Sequence, residues 1–390
     1  MGPAAINISI VLINFVFLIC IYLEKKYSYF KNKYFLIFIF ICILFIISSL
    51  FSDHILHSLS SSLFYFRYGL LSLSVVYLVN HSKYFPKLFL SVLSLVFLFL
   101  ICDSFFQFFS GYNILGYEYN GFRLSSVFGE EKILGSYFSR LFPIFFGLVI
   151  LIFKKSFLPI VLGLSVLILI DILIFLSGER TAFFYLILFS VLVIILLKDW
   201  RLIRLSALIL SILIMIILVN YQPNLKHRMI TQTINQTQLL EQNKHIFSNE
   251  HENIYNIALD LFYKKPILGI GPKNFRIQCQ NKVYEKIDGC RSHPHNTYIQ
   301  LLSEGGILAF MIFLSFFTII IYQILKQTYY VYFLNSNYLS NFSVCFILAV
   351  LINLWPLIPT GNFFSSYLNV FYYLSFGFYF ANFEERKQYA

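Results

Sequence analysis

The chain has 390 residues, of which 59% are hydrophobic and only 12% charged, with a formal net charge of +11. Soluble globular chains carry about 25% charged residues, so half of the polar surface that a water-soluble fold needs is missing. Together with a mean hydropathy of +0.75, this excludes a soluble enzyme, and without a basic domain the positive charge offers no surface for nucleic acid.

An apolar run needs roughly 20 residues, at about 1.5 Å each, to cross about 30 Å of hydrocarbon. Eleven runs approach that length: 6–23, 34–51, 63–80, 88–109, 134–153, 157–176, 181–197, 203–219, 298–323, 341–358 and 363–382. The pattern predicts an all-α polytopic integral membrane protein with about 11–12 transmembrane helices and one large loop. The first run has no basic flank and a second span follows closely, so it is not expected to be a cleaved signal peptide.

Lysines and arginines fill every second connection. Lys25, Lys26, Lys31 and Lys33 occupy the first, Lys83 and Lys87 the third, and Lys154 and Lys155 the fifth. Lys198, Arg201 and Arg204 occupy the seventh, Lys326 the ninth, and Arg386 and Lys387 the tail. Positive loops stay cytoplasmic, which predicts an outer N-terminus, an inner C-terminus and a periplasmic segment 220–297. That segment carries ten Lys and Arg, but a long loop crosses regardless of its charge. Three regions follow: an N-terminal transmembrane bundle of about eight helices at 1–219, the periplasmic loop at 220–297, and C-terminal transmembrane helices at 298–390.

Within the loop, 221–249 is polar and rich in Gln and Asn. The stretch that follows has Ile254, Ile257, Ala258, Leu261 and Phe262 at helical spacing, predicting an amphipathic helix able to lie on a bilayer surface. Lys264-Lys265-Pro266 ends that helix, and Gly269-Ile270-Gly271-Pro272 makes a turn without the third glycine of a dinucleotide site. Cys279 and Cys290 both fall here, and an oxidising periplasm permits a disulfide between them; two unpaired thiols are the alternative.

Ionisable residues gather near the outer ends of the spans: Arg67, Asp103, Arg140, Asp171, Arg180 and Glu304. Such groups are costly in a membrane and usually face a bundle interior or a wet cavity, although each alone fits an interfacial or structural ion pair equally well. Their clustering predicts a polar cavity roofed by the 220–297 loop. The chemistry of that cavity is bounded by its residue types. No two aspartates stand two apart to hold a divalent metal, His293-Pro294-His295 alone is a weak zinc signal, and a nucleophile elbow or P-loop is missing. Arginine, whose planar fork fits phosphate oxygens, and histidine, the commonest general base, remain. Cations plus a base, with neither metal nor cofactor, fit a transfer whose leaving group is already a pyrophosphate, carried on a lipid.

These residues resemble a known family. PHNTYIQLLSEGGILAF, at 294–310, looks like the C-terminal signature of the O-antigen ligase and O-antigen polymerase superfamily, and SGERTAF, at 177–183, is similar to its arginine motif. FGEEKILGSY and WPLIPTGNFF also look familial. The resemblance implies a metal-independent glycosyltransferase of the bacterial inner membrane. It would move an undecaprenyl-pyrophosphate-linked glycan onto a hydroxyl at the periplasmic face; displacement in one step would make the transfer inverting. It equates His295 with the essential histidine, Asn296 with the polar residue after it, Gly306 with the glycine that follows, and Arg180 with the motif arginine. Phe184 stands where leucine is usual, and Ala309-Phe310-Met311 replaces the Gly-Thr-Trp that continues the ligase pattern.

In the expected mechanism His295 takes the proton of the acceptor hydroxyl. Arg180, with Arg123, Lys132 or Arg276, stabilises the departing pyrophosphate, and Asn296 and Glu304 bind or orient substrate, with a buried helix–helix ion pair the equal alternative for Glu304. His293 is expected to be a loop hydrogen-bonder. Ligase action on lipid A-core is preferred, with polymerase action on a nascent glycan as the alternative; membrane lipids are the other partners. A transporter or flippase fits less well, because charges at one end and no internal repeat differ from midplane sites between repeated halves.

Overall fold

The computed structural model describes residues 3–153, 157–237, 247–284, 287 and 289–381; Lys154, Lys155, Arg386 and Lys387 of the charge pattern lie outside them. Sixteen α-helices follow in order. The first five are α1 (Pro3–Glu24), α2 (Lys33–Leu50), α3 (Ile55–Ser62), α4 (Phe66–His81) and α5 (Phe85–Ser110). Next come α6 (Leu134–Phe153), α7 (Phe157–Leu176), α8 (Arg180–Leu196), α9 (Arg201–Tyr221), α10 (Pro223–Lys226) and α11 (Gln232–Thr237). The last are α12 (Asn249–Lys264), α13 (Phe275–Gln278), α14 (Thr297–Phe333), α15 (Asn341–Asn353) and α16 (Ser366–Phe380). The ends follow from local chemistry. Asn32 caps α2 by accepting Tyr34 N–H at 2.9 Å, Pro86 sits in the first turn of α5, and Gly111 closes α5 at φ 86°.

Among the described residues, seven helical stretches are long and apolar enough to cross a membrane: Ala4–Glu24, Lys33–Leu50, Ile55–His81, Phe85–Ser110, Leu134–Phe153, Arg201–Tyr221 and Thr297–Phe333. Apolar helices at Gly163–Leu176, Arg180–Leu196 and Asn341–Asn353 are shorter. This is an all-α polytopic membrane protein. The expected spans at 341–358 and 363–382 are trimmed to α15 and α16, because Pro356 and Pro359 cannot continue a helix and 354–365 forms a connecting loop.

Two compact units divide the helices. The first comprises Met1–Ser82, Asn243–Ile320 and Leu354–Ala390; the second comprises Lys83–Gln242 and Ile321–Asn353. In the first, α4 packs on α1 and α16. Its aromatic core centres on Tyr65, whose hydroxyl donates to Asn369 at 2.8 Å amid Phe45, Phe363, Phe364 and Tyr373. In the second, α6 packs on α15 and α8, and α7 on α9.

The second unit corrects part of the sequence reading. Arg204 is no loop residue; it lies in α9, fully buried, and forms a two-pronged bond to Asp171 at 2.8 and 3.0 Å. Ser190 and Ser211 complete the group at 3.0 Å each. Asp171 is thus consumed by a closed structural pair, the form in which a buried charge is tolerable, and is not open to a cavity. Asp103 likewise holds the 111–126 connection, accepting Ile114 N–H at 3.0 Å and the hydroxyl of Ser126. Arg140 donates to Asn353 at 2.5 Å and lies over the Tyr185 ring.

The amphipathic helix forms as α12, but its apolar face does not need a bilayer. Ile254, Tyr255, Ile257, Ala258 and Leu261 pack with Ile270, Phe275, Cys279 and Tyr284 into a small core of the loop itself. Cys279 and Cys290 are joined as a disulfide beside this core, with Cα atoms 5.1 Å apart. A closed loop of about a dozen residues contributes about 3 kcal/mol in the chain-entropy model.

One feature of α14 decides how that loop is held. The helix is broken at Gly306, with φ 75° and ψ −178°. The carbonyls of Ser303 and Glu304 no longer serve their own helix and instead accept N–H bonds from Ile270 (2.9 Å) and Gly271 (3.0 Å), while Ile307 N–H donates to Pro266 O at 2.9 Å. A Cβ on Gly306 would stand 2.1 Å from Ile267 O, and one on Gly269 would stand 2.5 Å from Glu304 C. Both glycines are therefore required by close backbone approach as well as by positive φ. Gly306→Ala is expected to unseat the 266–271 turn. The left-handed conformation costs alanine about 1–2 kcal/mol, and the collision adds to it. The variant should give less monodisperse protein in detergent and a lower melting temperature, whereas Ile319→Ala, at an exposed position on the same helix, should change neither.

Candidate active site

The opening of α14 is built around Asn296. Its side-chain oxygen accepts the N–H groups of Tyr298 (2.9 Å) and Ile299 (3.1 Å), and its amide donates to Pro356 O at 2.7 Å. This is an N-cap, satisfying donors that a helix start leaves open. Asn296, expected to bind substrate, has both ends of its carboxamide occupied by protein and acts as an anchor. Thr297 next to it contacts Thr360 at 3.0 Å and Tyr372 at 2.9 Å through its hydroxyl.

His295, immediately before the cap, has φ 55°. A non-glycine residue rarely takes this left-handed conformation, and it persists where surroundings over-determine it. Here its carbonyl accepts Thr360 N–H at 2.7 Å. The imidazole is half-buried, with its ring centroid 4.1 Å from that of His293 and 5.9 Å from that of His251. Burial lowers the pKa of His295 below the usual 6.5, and His251 pushes the same way. A ring kept uncharged near neutrality can accept a proton.

His293 differs from its neighbour. It is buried, with Nε2 3.3 Å from Thr360 O and Nδ1 2.9 Å from the Ser292 hydroxyl. The carbonyl requires Nε2 to carry the hydrogen, so Nδ1 accepts from serine. Burial, reinforced by His295, pushes its pKa down to about 3. Around these rings, Arg291 pairs with Glu250 at 2.9 Å, close to the N-terminus of α12.

Glu304, expected to bind or orient substrate, is fully buried one turn beyond Gln300. Its carboxylate accepts Phe275 N–H at 2.9 Å and the Gln300 amide at 2.8 Å. Gln300 in turn reaches Asn362 at 3.0 Å and accepts Phe363 N–H at 2.8 Å. Glu304 therefore ties the 270–275 turn to α14, and Gln300 ties the 354–365 loop to the same helix. Arg276 follows Phe275 on α13, and its Nε is buried with no hydrogen-bond partner among the described residues.

A second constellation lies in the other unit. Glu179 immediately precedes α8, but its carboxylate caps α6, accepting Gly135 N–H at 2.7 Å and Ser136 N–H at 3.2 Å. Burial pushes this carboxyl up to about 7, against the pull of Arg123 and the two N–H donors. Arg123 stands 4.0 Å from Glu179 and donates to Lys132 O at 2.5 Å. Lys132 itself is left-handed, φ 47°, closing a short 3-10 turn. Arg180, first residue of α8, approaches Thr233 at 3.4 Å. Arg228 donates to Gly178 O at 3.3 Å and Gln232 at 2.9 Å, from a single π-helical turn, His227–Thr231. Gly178, at φ 64°, makes room: a Cβ there would stand 2.4 Å from Phe122 O and 2.9 Å from the Arg123 side chain. Burial lowers the pKa of Arg228, with Arg180 and Arg123 adding like-charge repulsion. Three guanidinium groups thus face one carboxylate, an arrangement that favours an anion with several oxygens.

The expected residues accordingly divide: His295, Asn296, Glu304 and Arg276 belong to the first unit, and Arg123, Lys132 and Arg180 to the second. Arg228, His251 and Thr360 were missed by sequence reasoning. Arg228 sits in a polar Gln- and Asn-rich run where one arginine has no distinguishing pattern. Its only signal is the spacing of four to Gln232, which helical structure converts into contact.

A family model described as O-antigen ligase matches residues 164–314. The matched segment runs from α7 into α14 and contains SGERTAF, Arg228, the histidines and Gly306, whereas FGEEKILGSY and WPLIPTGNFF fall outside it. No curated protein matches the chain. The arginine motif, the PHNT helix start and the Gly306 break all lie inside that segment, so over residues 164–314 this multi-pass membrane protein is similar to the O-antigen ligase family.

Proposed function

We propose that the protein is an O-antigen ligase-type glycosyltransferase. It moves a glycan from undecaprenyl pyrophosphate onto a sugar hydroxyl of lipid A-core, at the periplasmic face of the bacterial inner membrane. The observation that carries this reading is His295: a half-buried imidazole, its pKa lowered by burial, held beside a capped helix start by the Thr360 bond to its carbonyl. A ring nitrogen of His295 takes the proton from the acceptor hydroxyl. That oxygen bonds to the anomeric carbon of the donor as the bond from carbon to the diphosphate oxygen breaks. The electron pair leaves with undecaprenyl pyrophosphate, and displacement in one step inverts the carbon. Charge developing on the leaving diphosphate is matched by guanidinium groups, for which Arg180, Arg123 and Arg228 are the candidates, with Lys132 beside them. The residues supply the base and the countercharge themselves, and the donor brings its own leaving group.

Polymerisation, in which the acceptor is a second lipid-linked repeat, is favoured by one feature. Ala309-Phe310-Met311 departs from the ligase pattern in the half of the signature that continues past Gly306. Deleting the gene and resolving surface glycolipids on a gel separates the two. Complete loss of O-chain is expected for a ligase, and core bearing a single repeat would show a polymerase.

His295→Ala in purified protein is expected to cut transfer by roughly 10²-fold or more, the usual scale of a lost general base. Because the folded pKa lies below 6.5, the base form predominates at neutral pH. The wild-type rate should be flat above about that pH and fall only as acid protonates the ring. Near wild-type transfer by His295→Ala would end the base assignment. Arg180→Lys should slow transfer by at least about tenfold, since an ammonium cannot reproduce the planar fork; full activity would remove Arg180 from diphosphate binding.

A further inference from the structure

The histidine-bearing unit contains a cationic group that the base does not use. Its frame is the turn from Gly269 to Asn274, where Gly269, Gly271 and Lys273 all have positive φ (71°, 96° and 61°). The turn is pinned by the Ser303 and Glu304 carbonyls and by the Glu304 carboxylate at Phe275. Lys273 leaves this turn with its side chain mostly out of solvent, and Arg276 follows one helical turn later. Burial lowers the pKa of Lys273, with Arg276 and Arg67 adding repulsion and Glu304 opposing it. Arg67, at the start of α4, spends one terminal nitrogen on neutral partners: Tyr68 hydroxyl at 2.8 Å and Asn7 at 3.2 Å.

The charges do not balance. Of the three cations Lys273 alone meets a carboxylate, that of Glu304, which is committed to Phe275 and Gln300. Among the described residues none of the three makes an ion pair, and the Nε atoms of both Arg67 and Arg276 are buried without a hydrogen-bond partner. Leaving buried donor atoms and half-buried charges unmatched is costly, so these three cations form a site that suits an anion. Two guanidinium groups and one ammonium are the donor set that phosphate oxygens accept.

We propose that Arg67 of α4, Lys273 of the Gly269–Asn274 turn and Arg276 of α13 bind a phosphate or diphosphate group carried by the acceptor. The inference rests on the transferase reading above and extends it: the acceptor as well as the donor is recognised through phosphate. The unit that supplies the base then positions the acceptor hydroxyl at His295, since Arg276 lies close enough to depress His293. Arg276 is thereby taken from the donor to the acceptor.

The test uses the full chain in nanodiscs of neutral lipid, with inorganic pyrophosphate as the binding probe. Wild type is expected to bind two pyrophosphates. Arg276→Gln or Lys273→Gln should remove one of them, and Arg180→Gln the other. Arg276→Lys checks folding and should retain weak binding. In transfer assays Arg276→Gln should raise KM for a phosphorylated acceptor by roughly tenfold or more, as expected for one lost charge-assisted hydrogen bond. It should leave a dephosphorylated acceptor and the donor KM unchanged. A single binding class weakened alike by Arg180→Gln and Arg276→Gln would overturn the proposal. So would an effect of Arg276→Gln on donor KM alone. If phosphatidylglycerol in the disc displaces the second pyrophosphate while acceptor KM is untouched, the site is a headgroup anchor and the proposal fails. Failure of the transferase reading looks different: two-site binding persists, with no transfer from a lipid-linked donor in wild type.

Discussion

The break in α14 at Gly306 is the constraint on which the histidine-bearing unit depends. An unbroken helix would spend the Ser303 and Glu304 carbonyls on residues four positions on. Freed by the break, they hold Ile270 and Gly271 instead, and Ile307 holds Pro266. The exchange is nearly neutral in hydrogen bonds, because each orphaned group finds a backbone partner. What it gains is position. A loop between spans is fixed against a membrane helix by backbone, so its side chains point in set directions, and Glu304 adds a side-chain bond at Phe275. Glycine at 269 and 306 is the requirement, since neither position has room for a Cβ.

The same economy explains the helix start. The sequence PHNT places three kinds of group in four residues: a proline that keeps its neighbour out of the helical region, an asparagine that caps, and a threonine that anchors. His295 lies between proline and cap, and its left-handed backbone turns the chain so that its carbonyl meets Thr360. The WPLIPTGNFF stretch therefore has a physical role in the first unit. It supplies the Pro356 carbonyl to Asn296 and both ends of the Thr360 peptide to the histidines, so the proline-interrupted connection between α15 and α16 is part of the site's scaffold.

Much of this was legible in the sequence, for identifiable reasons. Span existence follows from length and apolarity, which are local, and each expected run overlaps a helix, though those at 341–358 and 363–382 are cut short. His295, Gly306 and Arg180 stood out because each sits in a motif that combines unlike residue types at fixed spacing. The Asp171–Arg204 pair was not legible. Its partners are 33 residues apart, and Arg204 looked like one more cation at a helix end. Burial of α12 was missed for a similar reason. An amphipathic face states that something apolar covers it, not whether lipid or protein does, and here Phe275, Cys279 and Tyr284 cover it. Arg228 escaped because nothing in its neighbours marks it until a π-helical turn brings it to Gly178.

Both units carry clustered cations beside one committed carboxylate. In the second, Arg123, Arg180 and Arg228 meet Glu179, whose oxygens are already committed to the start of α6. In the first, Lys273 lies near Arg67 and Arg276 and meets Glu304, whose oxygens are committed to Phe275 and Gln300. Each acid thus serves as a structural cap or tie while lowering the local charge only in part. An acid free to pair fully would have quenched the arginines; no acid at all would have left half-buried like charges unsupported. One committed carboxylate per cluster satisfies both limits, which is why a helix-capping glutamate and a turn-fixing glutamate stand where a freely rotating partner would not serve.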